Sequence, residues 1–200
     1  MRRHLKPLRI VWRIALLIIH ILTGFTLALF FLRHEIHPGT LAAKLAIWWH
    51  SRICRIFGET RPVHGDITQS PTLFVVNHIS GFDIPALGSA LPVHFLSKDE
   101  LNGWPVIGLI AKKAGTLFIK RGIRGAAEQS LTEITAALQH GGHVVIFPEG
   151  TTTDGTSVKR FHSRLFQDDI YAGAQIHAVA LRYPNPPGVH HNTPFLGVTQ

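Results

Sequence analysis

The sequence predicts an α/β fold in which a mixed, mostly parallel sheet is flanked by helices and preceded by an N-terminal membrane-embedded helical segment. From residue 72 onward, short apolar runs alternate with segments of helical pattern. The short runs have few polar interruptions, which is typical of strands covered on both faces. Before them, the 19 residues from Ile14 to Leu32 are almost wholly apolar. At about 1.5 Å per residue this run can cross a hydrocarbon core of about 30 Å.

The composition is that of a folded, basic and rather apolar protein. Of 200 residues, 46% are hydrophobic and 16% are charged, which excludes intrinsic disorder. A single cysteine, Cys54, excludes a disulfide framework. Twenty Lys and Arg against 12 Asp and Glu give a net charge of +8. This charge indicates an anionic partner, either nucleic acid or an anionic membrane, and the apolar content favours the membrane.

Residues 1–60 are predicted to form membrane-associated helices, and residues 61–200 an α/β domain that is truncated at its C-terminus. The length of the first apolar run favours a membrane helix over a cleaved signal peptide. A second helix is predicted over Leu41–Phe57, where Trp48 and Trp49 stand near basic residues, as in helices that lie among lipid headgroups. An ordinary amphipathic helix packed on the domain is the alternative. The sequence leaves open whether the first helix spans the membrane or the two form a re-entrant pair.

The α/β part is predicted to contain five strands and four helices in alternation. The strands are placed by continuous apolar character at Thr72–Val76, Val93–Leu96, Thr116–Ile119, Val144–Phe147 and Ile176–Leu181. The helices are expected near residues 84–90, 99–113, 124–140 and 162–173. Functional residues of such sheets gather in the loops beyond the strand ends.

The spacing His-x4-Asp occurs twice, and context separates the two cases. His78 follows the strand Thr72–Val76 after one residue, Asn77, and Asp83 stands where the next helix begins. A carboxylate that holds the proton of one imidazole nitrogen fixes the tautomer and makes the other nitrogen a better base. Such a pair can take the proton of an alcohol that attacks an acyl group. His94 lies within a strand, with Asp99 after it, and is predicted to be a packed histidine.

Two further polar segments follow strands. Lys120 and Arg121 come directly after Thr116–Ile119, and the planar guanidinium suits phosphate. The string Phe147-Pro148-Glu149-Gly150-Thr151 follows another strand, and its proline and glycine predict a defined turn. There Glu149 could hydrogen-bond a substrate hydroxyl or anchor Arg121. Motifs of P-loop, dinucleotide-binding, serine-hydrolase and zincin sites are absent from the sequence.

These blocks, Asn-His-x4-Asp, Lys-Arg-Gly, Phe-Pro-Glu-Gly-Thr and Val-Ala-Leu-Arg-Tyr at 179–183, resemble in order the four blocks of the glycerolipid acyltransferases, in particular the 1-acylglycerol-3-phosphate acyltransferase type. The resemblance implies acyl transfer from acyl-CoA or acyl carrier protein to a lysophospholipid hydroxyl, in phospholipid biosynthesis. It implies His78 as general base and Asp83 as its partner. It further implies binding of the acceptor by five residues: Lys120, Arg121, Glu149, Gly150 and Thr151.

The same resemblance implies no metal or bound organic cofactor, and it implies a lysophospholipid, an acyl donor and membrane lipids as partners. Nucleic acid is not expected as a partner, because the basic residues cluster beside the apolar N-terminal run and do not alternate with aromatic residues in the α/β part. It also implies a pair of N-terminal helices in the cytoplasmic leaflet of a bacterial inner membrane. The third block departs from the family pattern, because Thr152 and Thr153 stand where Arg-Ser is usual. Together with His162 in place of a lysine, this resembles acyltransferases of other lysolipids, including lyso-ornithine lipid. The rival of another class is a non-enzymatic, basic lipid-binding protein.

Overall fold

The structure is a computed structural model that describes residues 5–32, 36–58, 63–64, 70–120, 125–153, 157–162, 173–182 and 195–199. It opens with two helices, α1 (Leu5–Phe31) and α2 (Leu41–Phe57). Helix α2 begins after Thr40, whose hydroxyl accepts the backbone N–H of Ala43 at 3.2 Å. It ends before Gly58, which has a left-handed φ of 80°. The helix predicted over Leu41–Phe57 is therefore confirmed at both ends.

The two helices form an antiparallel hairpin. His20, which interrupts the apolar run of α1, stacks its ring on Trp49 of α2 at 5.3 Å. Its Nε2 lies 2.9 Å from the Trp49 carbonyl oxygen, so this polar side chain has a partner inside the hairpin. Gly24 lies beneath the same indole, where a Cβ atom would collide with the ring. A small residue is thus needed at the helix crossing.

Much of the hairpin surface is apolar and exposed. Among the described residues, Pro7–Phe31 is the one helix long and apolar enough to cross a membrane, judged by length and composition. Many of its large side chains face outward, including Leu8, Val11, Trp12, Ile18, Ile19, Leu22 and Phe30. Such a continuous apolar surface on a basic protein indicates membrane association.

Behind the hairpin lies one sheet, and its described part has seven strands in the order β1-β7-β6-β2-β5-β3-β4. The pairings are parallel except for β6 with β7, so the mixed, mostly parallel sheet is confirmed. The strands are β1 (Val63–His64), β2 (Thr72–Val76), β3 (Val93–Lys98), β4 (Leu117–Ile119), β5 (His143–Ile146), β6 (Gln175–Arg182) and β7 (Phe195–Thr199). The helices between them are α3 (Asp83–Gly88), α4 (Ile107–Lys113) and α5 (Ala126–Gln139).

Helices cover both faces of the sheet, as the continuous apolar strands predict. Leu73 and Val75 of β2 pack against α5, whose Leu131, Ile134 and Leu138 are buried. The alternate residues of β2 point to the opposite face, where the core includes Leu87 of α3. On that side α2 packs against α3, and α1 packs against α4. The hairpin therefore rests on the same face of the sheet as α3.

Three sequence predictions differ from the structure or lie outside it. The predicted helix 99–113 is two elements, a 3-10 helix at Asp99–Gly103 and α4. The break has a steric cause, because Pro105 forces the preceding Trp104 into an extended conformation with ψ of 128°. The short strands β1 and β7 have no counterpart among the predicted elements. The predicted helix 162–173 falls mostly on residues 163–172, outside the described residues.

Candidate active site

The carboxyl ends of two adjacent strands, β2 and β5, form the candidate site. Because β2, β3, β4, β5 and β6 run parallel to one another, the segments that follow β2 and β5 emerge at the same edge of the sheet. Asn77, directly after β2, fixes this edge to the end of β6. Its side-chain amide donates to the Leu181 carbonyl at 3.0 Å, and its side-chain oxygen accepts the Leu181 N–H at 2.7 Å.

His78 and Asp83 form a hydrogen-bonded pair at this edge. The Nδ1 atom of His78 lies 2.7 Å from Oδ2 of Asp83, and since a carboxylate can only accept, Nδ1 is the donor. The same oxygen accepts the backbone N–H groups of Ile79 at 2.7 Å and Ser80 at 3.0 Å. Asp83 is fully buried in the first turn of α3, whereas the His78 side chain is 19% exposed. The buried carboxylate thereby fixes the tautomer that leaves Nε2 as the basic nitrogen.

The face of the imidazole ring also has a packing partner. Phe147, the first residue after β5, stacks on the His78 ring with 4.1 Å between ring centroids and 22° between planes. Among the described residues, no hydrogen bond is made to Nε2 of His78. The ring is thus oriented by Asp83 and Phe147, while its second nitrogen can receive a proton from a bound molecule.

Glu149 connects the two loops rather than standing open to solvent. It is 4% exposed, and its Oε1 accepts the backbone N–H of His78 at 3.0 Å. Its other oxygen accepts the N–H of Lys159 at 2.7 Å. The turn that presents it is closed by the Gly150 N–H, which donates to the Phe147 carbonyl at 3.0 Å, and Gly150 has a φ of 67°. This turn matches the one that the proline and glycine predict.

Of the three threonines at this turn, one is bonded to the His78 loop and two are exposed. Thr153 donates to the His78 carbonyl with its backbone N–H at 2.8 Å and with its hydroxyl at 3.3 Å. The sequence does not indicate this contact of Thr153, because a run of three threonines gives no sign of which one turns inward. Thr151 and Thr152 are exposed at the same edge.

Of the two cations expected to bind the acceptor, Lys120 is described and lies away from His78. Lys120 follows β4 and is exposed, and β4 is three places from β2 in the sheet. At about 4.8 Å per strand the separation is about 14 Å. Lys120 instead lines an open cleft of about 470 Å³ together with Asp99, Lys112 and Glu133. Arg121 lies outside the described residues.

The second His-x4-Asp pair has a different setting. His94 is buried in β3 with 5% exposure, and its Nδ1 lies 2.8 Å from the carbonyl oxygen of Gly115, just before β4. The ring therefore bridges β3 and the start of β4, and the prediction of a packed histidine is confirmed.

An apolar cavity of about 170 Å³ approaches the site from the hairpin side. It is bounded by α1, α2, α4 and β3, and it reaches Ile84, the neighbour of Asp83. Gly24, Ala46, Phe95 and Ile110 are among the residues that line it. The cavity thus lies between the hairpin and the sheet, and neither His78 nor Asp83 lines it.

Comparison with known proteins gives a consistent family. A family model described as Acyltransferase matches residues 59–182. The lyso-ornithine lipid O-acyltransferase of Pseudomonas aeruginosa is 38% identical over 194 residues, which cover 95% of this chain and 75% of that protein. The 1-acyl-sn-glycerol-3-phosphate acyltransferase of Neisseria gonorrhoeae is 40% identical over 131 residues, 66% of this chain and 50% of that protein.

The fold has a solved counterpart. The crystal structure of the 1-acyl-sn-glycerophosphate (LPA) acyltransferase PlsC from Thermotoga maritima matches with a TM-score of 0.70. The match covers 100% of this chain and 86% of that chain, at 20% sequence identity. At this identity the likeness establishes the fold.

Proposed function

The chain belongs to the acyltransferase family, and we propose that it transfers a fatty acyl group to the free hydroxyl of a lysophospholipid, 1-acylglycerol-3-phosphate, giving phosphatidic acid. The observation on which this rests is the 2.7 Å hydrogen bond between His78 Nδ1 and the buried Asp83. It leaves Nε2 as a base at the carboxyl edge of the sheet. A proton acceptor at this place is what alcoholysis of a thioester requires.

In the proposed reaction, Nε2 of His78 takes the proton of the lipid hydroxyl as its oxygen attacks the thioester carbonyl. The tetrahedral intermediate collapses with cleavage of the carbon–sulfur bond, and the imidazolium returns the proton to the leaving thiolate. The products are the ester and a free thiol, and no acyl-enzyme is formed. Asp83 stabilises the imidazolium that exists between the two proton transfers. Glu149 and Thr153 act on the reaction through the backbone of His78, as positioning residues.

The acyl donor is proposed to be acyl-CoA or acyl carrier protein, used as a co-substrate without a metal or bound cofactor. The cavity of about 170 Å³ that reaches Ile84 supports an acyl substrate, because its apolar lining can take part of a fatty chain. Gly150 and Thr151 are proposed to shape the acceptor pocket, and the resemblance to the family adds Lys120 and Arg121 as residues that bind the acceptor.

We place the enzyme on the cytoplasmic face of a bacterial inner membrane. Residues 1–60 would form the membrane-associated unit, and residues 61–200 the acyltransferase domain. The antiparallel hairpin supports a re-entrant arrangement, because α1 and α2 both return to the same face of the sheet. Both helices would then dip into one leaflet, with the catalytic edge at the lipid surface.

Lyso-ornithine lipid is the second candidate acceptor. It is favoured by Thr152 and Thr153, which replace the Arg-Ser that is usual in acyltransferases of lysophosphatidate. The name of the Pseudomonas aeruginosa relative supports it too. Both acceptors present a free hydroxyl, so the chemistry at His78 is the same for either.

Acyl transfer in detergent tests the proposal directly. Labelled acyl-CoA and acyl carrier protein are offered with lysophosphatidate and lyso-ornithine lipid, using wild-type protein, His78→Ala and His94→Ala. We expect product from lysophosphatidate that His78→Ala abolishes and His94→Ala retains. Product from lyso-ornithine lipid alone would move the acceptor assignment. Absence of any product that depends on His78 would overturn the proposed function.

A further inference from the structure

The segment 157–162 lies directly against the catalytic loop. The N–H of Lys159 donates to Oε2 of Glu149 at 2.7 Å, and the N–H of His162 donates to the Pro148 carbonyl at 3.0 Å. Since the other oxygen of Glu149 accepts the N–H of His78, one buried carboxylate joins the backbone of Lys159 to that of the base. The segment therefore has a fixed place at the rim of the site.

This segment brings two cations to that rim. Lys159 and Arg160 are adjacent, and both are exposed. Two other described lysines at the carboxyl edge are farther away in the sheet order, because Lys98 ends β3 and Lys120 follows β4. By strand spacing these two lysines stand about 10 Å and about 14 Å from β2, whereas Arg182, exposed at the end of β6, lies one strand from β2 on the side away from β5. Side chains as long as Lys and Arg reach a ligand at His78 more readily from the position of Lys159.

Among the described residues of the two loops, 77–82 and 147–153, there is no Lys or Arg to pair with a charged acceptor. Asp83 and Glu149 are both buried, and both accept backbone N–H groups. The exposed side chains that follow the turn, Thr151 and Thr152, bear hydroxyls but no charge. An anionic headgroup held at this edge would therefore meet two carboxylates unless cations are supplied from the neighbouring segment.

We propose that Lys159 and Arg160 bind the anionic headgroup of the acceptor lipid, with the cationic role that the usual third-block arginine would have at Thr152. The group bound would be the phosphate of a lysophosphatidate or the carboxylate of an ornithine lipid. The planar fork of Arg160 suits either anion, and Lys159 adds a point charge beside it. The inference rests on the proposed function and adds the residues that select its acceptor.

The test measures kcat and KM in neutral detergent micelles, so that no charged membrane surface contributes. The acceptors are lysophosphatidate, lyso-ornithine lipid and a 1-monoacylglycerol of the same chain length, which lacks the anion. The variants are Lys159→Ala, Arg160→Ala, the double variant and Arg160→Lys. Lys113→Ala is the matched control, because it removes the same charge at the opposite edge of the sheet, where α4 leads into β4.

Each single alanine variant is expected to raise KM for the preferred anionic acceptor about tenfold, and the double variant about a hundredfold. The value of kcat should change less than about threefold, Arg160→Lys should restore part of the loss, and Lys113→Ala should match wild type. Activity on the monoacylglycerol should be unaffected, which also shows that the variants fold.

Two results would overturn the inference while leaving the proposed function in place. One is an unchanged KM in the double variant. The other is an equal loss on charged and neutral acceptors, which would assign the two cations to the fold or to the lipid surface. Wild-type protein that acylates none of the three acceptors would instead overturn the proposed function, and this inference with it.

Discussion

Two pairs with the same spacing, His78 with Asp83 and His94 with Asp99, lie in the same sheet and end in different environments. His78 is the second residue after β2, where the chain can fold Asp83 back to its ring at 2.7 Å. His94 is the second residue of β3, and its ring is directed to the Gly115 carbonyl instead. A histidine inside a strand is held by the neighbouring strand, whereas one beyond the strand end is oriented by its own loop. Whether the histidine binds the aspartate five residues further along thus depends on its position relative to the strand end, and the spacing alone does not decide it.

The largest difference between the two pairs is expected when each imidazole is removed. We expect His78→Ala to lower kcat/KM about a thousandfold or more, because no other described group takes the position of Nε2. His94→Ala should keep kcat within about threefold and lower the free energy of unfolding by about 1–3 kcal/mol, since the Gly115 carbonyl loses its partner. Acyl-transfer kinetics and urea denaturation of both variants check this. A similar fall of kcat in the two variants would contradict it.

The two carboxylates give the next largest contrast. Asp83→Asn keeps the size of the side chain but removes the charge that stabilises the imidazolium, and we expect kcat to fall at least about a hundredfold. Asp99→Asn, in the 3-10 helix after β3, should leave kcat within about twofold. Turnover at saturating acceptor measures both. Equal effects would mean that the hydrogen bond at Asp83 serves only the fold of the loop.

Some of this site can be predicted from sequence because its signals are local. The strand before His78 is apolar throughout, and Asp83 stands at the start of a helix, so both positions follow from short-range pattern. Glu149 behaves otherwise, since its acceptor roles join residues 71 positions before it and 10 positions after it. Contacts between residues so far apart in the chain leave no pattern in the sequence. The proline and glycine around Glu149 predict only that a turn holds this residue. The place of Lys159 follows from the same long-range contacts.

Replacement of Glu149 tests how far the base depends on that distant support. Glu149→Gln retains one carbonyl oxygen but turns an NH₂ group toward one of the two backbone donors. We expect kcat to fall about tenfold and the free energy of unfolding to fall by about 1–3 kcal/mol. Glu128→Gln, on the exposed first turn of α5, is the matched control and should stay within about 0.5 kcal/mol. If Glu149→Gln resembles Glu128→Gln, the carboxylate is not what places His78.

A third histidine of the sheet, His143, is expected to have the smallest effect, a pH dependence of the free energy of unfolding. It begins β5, is 2% exposed, and its Nδ1 has no hydrogen-bond partner among the described residues. Burial, and secondarily the charge of His94, lower the pKa of His143 below its ordinary value of 6.5. Near pH 6.5 and below, His143 is protonated in the unfolded chain but still neutral in the folded chain. The free energy of unfolding should therefore fall as the pH drops through 6.5, and it should level off below the pKa of the folded state. Urea denaturation at pH 7.5 and 5.5 should show a larger loss for wild type than for His143→Phe, with His140→Phe, exposed at the end of α5, as the control. Equal losses in all three proteins would mean that the neutral form of His143 is not what the core requires.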